Sequence, residues 1–132
     1  MSNIDHMFND FVKLVEKLRS PEGCPWDRDQ TTSSLKRYLL EEVQETIEAI
    51  DDNDPDHIKE ELGDLLYLIV LLAQINTDKN LFDIAGVIDS ISKKMRRRHP
   101  HVFGDKVIGS ADELRQQWLK IKNKEKADRK QG

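Results

Sequence analysis

The sequence contains only one cysteine, Cys24, in 132 residues. A single cysteine excludes a disulfide within the chain, and it excludes a zinc site assembled from the cysteines of one copy. We therefore expect a reducing, cytoplasmic setting. The N-terminus also lacks a basic region followed by an apolar stretch, so we expect no secretory leader.

Long hydrophobic runs are absent as well. The longest, from Leu65 to Ala73, is well short of the ~20 residues that cross a bilayer. The net charge of −4, from 21 Lys and Arg against 25 Asp and Glu, argues against a protein that coats nucleic acid or membrane by bulk charge. We predict a soluble protein that binds neither.

The motifs of several enzyme classes are also missing. The sequence has no Gly-rich phosphate loop and no G-x-S-x-G segment, and Cys24 has no neighbouring histidine. No nucleophile triad is therefore visible. His99 and His101 flank Pro100, but two histidines without further ligands are more typical of hydrogen-bonded structural residues than of a metal site.

The apolar pattern predicts the fold class. At this length the chain forms one domain with a core of its own. Apolar side chains recur at helical spacing, and no segment alternates as a strand does. We predict an all-α bundle of about five helices in residues 1–126, followed by a basic, flexible tail at residues 127–132.

Capping residues and prolines mark the ends of the predicted helices. The signals are, in chain order, Ser20-Pro21 after the first helix (residues 4–19), Thr32 or Ser33 before the second, Asp54-Pro55 before the third, Pro100 after the fourth, and Ser110 with Glu113 before the last.

Two pairs of carboxylates stand three residues apart on neighbouring predicted helices: Glu42 with Glu45, and Glu61 with Asp64. Residues three apart share one face of an α-helix, with Cβ atoms roughly 5–6 Å apart. Two such helices packed antiparallel would surround one hard cation with carboxylate oxygens. Because the pairs border apolar residues, packing would partly bury like charges, which costs free energy unless a cation or a proton neutralises them.

The ligand type predicts which cation binds. Oxygen ligands alone indicate Mg²⁺, with Mn²⁺ as a substitute. Zinc and copper favour His or Cys, and His57 is not spaced to join the two pairs. Five further acidic residues of this region are expected to form a solvated surface, and they are Glu48, Asp51, Asp52, Asp54 and Asp56.

The third predicted helix has no polar face between Leu65 and Ala73. A helix that is apolar on every side must be covered on every side, and one small chain can hardly do this. We therefore predict a homodimer or homotetramer with this segment under a subunit interface. Leu68 and Leu71 are chosen as the positions where a carboxylate should disrupt assembly.

A basic run, Lys93-Lys94-Met95-Arg96-Arg97-Arg98, ends the fourth predicted helix. One or two cations there would complement the helix dipole. A run of this density also suits a triphosphate, because Arg makes bidentate contacts with phosphate. DNA binding is the rival interpretation, but no recognition-helix motif supports it.

Trp26 and Trp118 are the two tryptophans. Each could stack on a nucleobase or fill the core, and the core is the more frequent role for a single tryptophan.

Five blocks of the sequence together resemble the MazG family of nucleoside triphosphate pyrophosphohydrolases. The blocks are L-R-S-P-E-G-C-P-W-D-R-D-Q-T (18–31), Y-L-L-E-E-V-Q-E (38–45), E-E-L-G-D-L-L (60–66), R-R-H-P-H-V-F-G-D (97–105) and W-L-K-I-K (118–122). The resemblance covers nearly the whole chain. It implies an all-α pyrophosphohydrolase of the superfamily that also includes dimeric dUTPases and phosphoribosyl-ATP pyrophosphohydrolases.

The resemblance also implies roles for individual residues. Glu42, Glu45, Glu61 and Asp64 match the magnesium ligands of the family, and Glu41 and Glu60 match its adjacent acidic positions. The positions near the nucleotide are matched by Lys94, Arg97, Arg98 and Trp118.

These roles define the expected reaction. A nucleoside triphosphate is cleaved to the monophosphate and pyrophosphate, with Glu41 or Glu45 as general base. House-cleaning of the nucleotide pool is the expected purpose. A dUTPase-like or phosphoribosyl-ATP-specific enzyme is one alternative, and a non-enzymatic, oligomeric helical interaction module is another.

Overall fold

The structure, a computed structural model, describes residues 3–131 of the chain, with the backbone alone for Gln131. All regular secondary structure in that range is helical, which confirms the predicted all-α class. The described helices are α1 (Ile4–Arg19), α2 (Pro25–Asp29), α3 (Lys36–Asp51), α4 (Pro55–Asp78), α5 (Ile84–Arg98), α6 (Pro100–Phe103) and α7 (Ala111–Gln131). None of them is long and apolar enough to span a membrane.

Two short helices, α2 and α6, raise the number above the predicted five. Each begins at a proline, Pro25 or Pro100, whose fixed φ suits the first position of a helix. Helices of five and four residues are too short to show a periodic apolar pattern. Pro100 therefore follows α5, as predicted, but it also starts a helix that the pattern did not reveal.

The start of α3 differs from the prediction. Thr32 and Ser33 lie in a turn, and α3 begins at Lys36. In that turn the backbone N–H of Thr31 donates to Ser34 Oγ over 2.8 Å, and the N–H of Ser34 donates to Thr31 Oγ1 over 3.1 Å. These side-chain bonds stabilise a local turn in competition with the helix, so the helix starts after them.

The start of α4 follows the prediction. The Asp54 side chain accepts hydrogen bonds from the backbone N–H groups of Asp56 and His57, and Pro55 is the first helical residue. Asn53, just before the cap, has a φ of 53°, a left-handed conformation that Asn tolerates better than most residues. The tight turn lets α4 pack back along α3.

The described residues group into two compact units, the first up to Ile84 and the second from Ala85 onward. The first holds α1 to α4 and the second holds α6, α7 and nearly all of α5. The predicted single domain at residues 1–126 and the flexibility of the tail stay predictions. Helix α7 itself continues to Gln131, and Gly132 lies outside the described residues.

The core of the first unit is formed by apolar side chains of α1, α4 and the turn before α3: Val15, Leu35, Leu68, Val70, Leu71 and Ile75. Burying each such side chain contributes about 1.5–3 kcal/mol before the entropy of ordering is subtracted. Leu68 and Leu71 thus lie inside their own unit, with 6% and 0% of their surface exposed. They are wrongly chosen as probes of a subunit interface.

The segment before α3, which contains α2, is held within the first unit by polar contacts. Arg19 Nη1 donates to the carbonyl oxygens of Asp27 over 2.6 Å and Gln30 over 3.1 Å. The Tyr67 hydroxyl of α4 donates to the buried Asp27 carboxylate. Burial, together with this bond, raises the pKa of Tyr67 above its ordinary value. These contacts hold α2 and Gln30 against α1 and α4.

In the second unit, the predicted capping box is formed with a shift of one residue. The backbone N–H of Glu113 donates to Ser110 Oγ over 3.2 Å, as in the predicted box. The Glu113 side chain reaches back to the N–H of Gly109 over 2.7 Å, one residue further than the usual partner. Ser110 thus precedes α7 and orients its first turn.

Candidate metal centre

The two predicted carboxylate pairs converge in the structure. Glu42 and Glu45 lie on α3, and Glu61 and Asp64 lie on α4. One oxygen from each of the four lies within 4.8 Å of the others. The spacing of three residues places each pair on one helix face, and the antiparallel packing of α3 and α4 brings the two faces together.

The cluster is partly buried, and burial differs among its members. Glu61 is 7% exposed and Glu42 is half-buried, whereas Glu45 and Asp64 are exposed. Among the buried side-chain atoms that the structure describes, Glu42 Oε1 and Glu61 Oε2 have no hydrogen-bond partner. A buried carboxylate oxygen without a partner is costly, so these two atoms indicate a place for a cation.

The electrostatics of Glu42 reflect this arrangement. Burial raises the pKa of Glu42 to about 8, with further contributions from the neighbouring Glu61 carboxylate and from the charge of Asp64. In the absence of a cation the cluster would therefore hold a proton that ordinary glutamates release. A divalent cation would supply the same neutralisation.

The donor set fits a hard divalent cation. All four side chains offer carboxylate oxygens, which suit Mg²⁺ or Mn²⁺ better than zinc or copper. The exposed pair, Glu45 and Asp64, leaves one side of the cluster open to water and to ligands.

His57 contacts the cluster, although its spacing had excluded it as a ligand. Its Nε2 is 3.2 Å from Glu61 Oε1 on the same helix. His57 is not part of the four-carboxylate group. The i,i+4 spacing of His57 and Glu61 was the signal that could have identified it as a partner of a ligand.

The adjacent acidic residues, Glu41 and Glu60, do not join the cluster. Both are exposed, and the group of carboxylates that could share an ion does not include them. A residue next to a ligand on a helix points about 100° away from it. The predicted role of Glu41 as general base stays a prediction.

The predicted nucleotide-binding residues Arg97, Arg98 and Trp118 come together within the second unit. Arg97 Nε and Arg98 Nη2 lie 3.0 Å and 3.2 Å from the two oxygens of Glu125. The Arg98 guanidinium carbon lies 5.4 Å from the centre of the Trp118 ring. Lys94, the remaining predicted residue, is half-buried on α5.

Glu125 was not identified from the sequence. It is 28 residues from Arg97, and the contact is a side-chain contact between α5 and α7. The two arginines lower the pKa of Glu125 to about 2 through hydrogen bonds, so the carboxylate stays charged near neutral pH and fixes both guanidinium groups.

Neither tryptophan is buried in the core. Trp26 is 39% exposed and packs edge-on against Tyr38, and Trp118 is 37% exposed. In addition to Arg98, Lys122 Nζ lies 4.6 Å from the centre of the Trp118 ring. The expectation of core positions was therefore wrong, because each indole is covered only in part, by polar or aromatic neighbours at the surface.

The paired carboxylates of these two antiparallel helices form a cluster that could hold a divalent cation in an all-α chain. Residues 30–103 match the model of the MazG nucleotide pyrophosphohydrolase domain. The chain belongs to this family, as its sequence blocks predicted. The matched range contains all four clustered carboxylates together with Lys94, Arg97 and Arg98.

Curated proteins with similar sequences support the assignment. The chain is 51% identical over 124 residues to the nucleoside triphosphate pyrophosphohydrolase/pyrophosphatase MazG of Thermotoga maritima, covering 94% of this chain and 47% of that protein. It is 39% identical over 132 residues to the nucleoside triphosphate pyrophosphohydrolase of Escherichia coli, covering 99% of this chain and 49% of that protein. An uncharacterised protein of Bacillus subtilis, YabN, is 49% identical over 92% of this chain and 25% of its own length.

The fold also has a counterpart in an experimental structure. The crystal structure of a mazG-related protein from Thermotoga maritima aligns with a TM-score of 0.71 and 29% identity, covering 87% of this chain and 98% of that one. The chain spans between a quarter and half of the length of the curated relatives it matches.

Proposed function

We propose that this protein is a magnesium-dependent nucleoside triphosphate pyrophosphohydrolase, which converts ribo- or deoxyribonucleoside triphosphates to monophosphate and pyrophosphate. The observation that carries the proposal is the cluster of four carboxylates within 4.8 Å, two of which have buried oxygens without a partner. The names of the relatives from T. maritima and E. coli support the substrate class.

Glu42, Glu45, Glu61 and Asp64 are the proposed ligands of Mg²⁺, for which Mn²⁺ can substitute. When bound, the cation offsets the charge of the phosphates and increases the acidity of water. The cluster suits this role because its like charges lie too close together to be stable alone.

The side chains of the protein take up the proton of the attacking water and bind the charged phosphates. A water oxygen attacks the α-phosphorus, the bond from that phosphorus to the bridging oxygen breaks, and pyrophosphate leaves. The proton of the water passes to Glu45, whose carboxylate is exposed, or to Glu41. Lys94, Arg97 and Arg98 bind phosphate oxygens, and Trp118 offers a ring face to the base.

We further propose that the active form is a homodimer or homotetramer. A row of apolar side chains on the outer faces of α3 and α4 has 40–68% of its surface exposed. The row comprises Leu40, Val43, Ile47 and Ile50 of α3 and Leu62, Leu66 and Ile69 of α4. Burying this apolar surface against a second copy is favourable. On α4 the proposed interface is the exposed side of the helix, which carries Leu62, Leu66 and Ile69.

The proposed purpose is removal of modified or surplus nucleotides. A panel of regular and damaged nucleoside triphosphates, incubated with the protein and Mg²⁺, tests the function through identification of the products. We expect monophosphate and pyrophosphate from several triphosphates. Cleavage of dUTP alone or of phosphoribosyl-ATP alone would indicate one of the specific relatives, and no cleavage of any member would indicate a non-enzymatic module.

Glu45→Gln provides the matched test of the site. It keeps the size of the side chain and the helix propensity but removes a ligand charge, so we expect activity to fall by about two orders of magnitude or more. Glu48→Gln is the control, since Glu48 is exposed on the same helix and lies outside the cluster. Equal activities of the two variants would remove Glu45 from the site.

A further inference from the structure

Glu61 is the most deeply buried of the four clustered carboxylates, and its two oxygens have different surroundings. Oε1 lies 3.2 Å from His57 Nε2. Oε2 is buried and has no hydrogen-bond partner. One oxygen of this carboxylate thus lies against an imidazole nitrogen, and the oxygen without a partner remains for a cation.

The backbone of His57 is held by the first turn of α4. It is the third residue of α4, and its backbone N–H donates to the capping carboxylate of Asp54. The helix begins at Pro55, whose ring fixes the backbone φ of the first helical residue. The imidazole therefore extends from a fixed backbone toward Glu61, one helical turn further along the same face.

We propose that His57 is a positioning residue for the metal centre, which orients the Glu61 carboxylate through the contact of its Nε2 with Oε1, 3.2 Å away. This inference rests on the proposed function, because it assigns the cation to the carboxylate cluster. His57 acts through Glu61 and not as a ligand, since it is not among the side chains that could share one ion. Partners of this kind strengthen metal binding by holding a ligand in its productive orientation.

An ordinary i,i+4 contact between His57 and Glu61 is the competing explanation. Such a pair would stabilise the helix slightly and would leave the affinity for cations unchanged. The two explanations therefore differ in the binding of Mg²⁺ measured without any nucleotide.

The experiment measures the Mg²⁺ dissociation constant by titration calorimetry with the metal alone, repeated with Mn²⁺. His57→Leu keeps much of the side-chain volume and removes the donor. His57→Gln returns an N–H donor at about the reach of Nε2. Lys59→Ala is the control, because Lys59 is on the same helix with 84% of its side chain exposed.

We expect His57→Leu to weaken Mg²⁺ binding about 10- to 100-fold and His57→Gln to restore affinity to within about threefold of the parent. The Mg²⁺ concentration for half-maximal activity should rise in the same proportion, while kcat at saturating Mg²⁺ stays close to that of the parent. A purely structural role would not move the metal affinity selectively or allow rescue by Gln.

Unchanged Mg²⁺ affinity in His57→Leu, with melting as in the parent, would overturn the positioning role. If His57→Leu unfolds, weak binding by a folded His57→Ala decides for the role and parental binding decides against it. Glu61→Gln separates this failure from failure of the proposed function. Loss of binding in Glu61→Gln alone would refute only the role of His57, whereas a parent that binds no Mg²⁺ would refute the metal site as well.

Discussion

The raised pKa of Glu42 reflects the free-energy cost of bringing the four carboxylates together. Glu42 Oε1 is buried without a partner, and burial is the first cause of the raised pKa, about 8. The folded protein without a cation therefore takes up a proton that the unfolded chain releases at lower pH. This difference links stability to pH.

We predict that the protein without divalent cations becomes less stable as the pH rises from about 5 to about 9. The sign follows from the shift: a carboxyl whose folded pKa is raised contributes stability below its unfolded pKa, and this contribution is lost as the pH passes through the folded value near 8. Glu42→Gln should flatten the decline and melt at least several degrees higher than the parent in EDTA near pH 9. Thermal unfolding of both proteins across the pH range measures the effect.

Mg²⁺ provides the complementary control for Glu42. It should raise the melting temperature of the parent most at high pH and have little effect on Glu42→Gln, which lacks a ligand charge. Parallel melting curves for parent and variant across the pH range would contradict the account of Glu42.

Arg97 and Arg98 differ in how much of each remains available to a ligand. Only 11% of the Arg98 side chain is exposed, and it lies against both Glu125 and Trp118. Arg97 shares Glu125 but keeps 50% of its side chain exposed. Arg97 is therefore the better placed of the two to contact phosphate.

We predict that Arg97→Ala lowers kcat/KM by about 1.5–3 kcal/mol of transition-state stabilisation, because it removes a charged hydrogen bond to substrate. Lys93→Ala is the control, since Lys93 is exposed and pairs with Asp89 on its own helix. Steady-state kinetics with the best substrate of the panel provide the comparison. A fully active Arg97→Ala, together with salt-sensitive binding of the parent to duplex DNA, would favour the nucleic-acid interpretation of the basic run.

At the scale of single helices, the sequence predicted those features that depend on contacts between residues close in the chain. Asp54 and Pro55 identified the first turn of α4, because an N-cap acts on backbone groups two and three residues away. The spacing of Glu61 and Asp64 identified one helix face, because residues three apart lie on the same side of an α-helix. The turn at Thr31 and Ser34 was missed, since capping and turn formation use the same residue types.

The remainder of the candidate site depends on packing. The pair of Arg97 with Glu125 joins positions 28 residues apart, and no periodic pattern specifies such a contact. The spacing of His57 argues against a ligand of both carboxylate pairs, but it suits a supporting contact with Glu61 one helical turn away. The partial exposure of Trp118 likewise depends on which side chains of the second unit cover it.

The exposed side of α4 is the part of the proposed subunit interface that substitutions can test. Leu66 and Ile69 are 40% and 46% exposed, whereas Leu68 between them is 6% exposed. We predict that Leu66→Asp or Ile69→Asp weakens self-association without unfolding the chain, because the carboxylate stays hydrated in the dissociated form and must be desolvated in the interface. Light scattering gives the mass, and circular dichroism checks the helix content.

Leu68→Asp serves as the contrasting variant for this prediction. It places a charge in the core of the first unit, so it should reduce helix content as well as association. If the parent is monomeric at micromolar concentration, the apolar row on α3 and α4 is not an interface between copies.

At the scale of the whole molecule, the charge is divided along the sequence. Acidic residues concentrate between positions 41 and 64, and a basic run occupies positions 93–98. Carboxylates suit a divalent cation and guanidinium groups suit phosphates, and both are compatible with the proposed substrate class. The central proposal is the cleavage of a nucleoside triphosphate at its α-phosphorus.

Hydrolysis in ¹⁸O-labelled water tests that claim most directly. We expect mass spectrometry to find the label in the nucleoside monophosphate and none in pyrophosphate, because water attacks the α-phosphorus. Label in pyrophosphate would indicate attack at the β-phosphorus, and nucleoside diphosphate with labelled orthophosphate would indicate attack at the γ-phosphorus. Either result would contradict the proposed reaction.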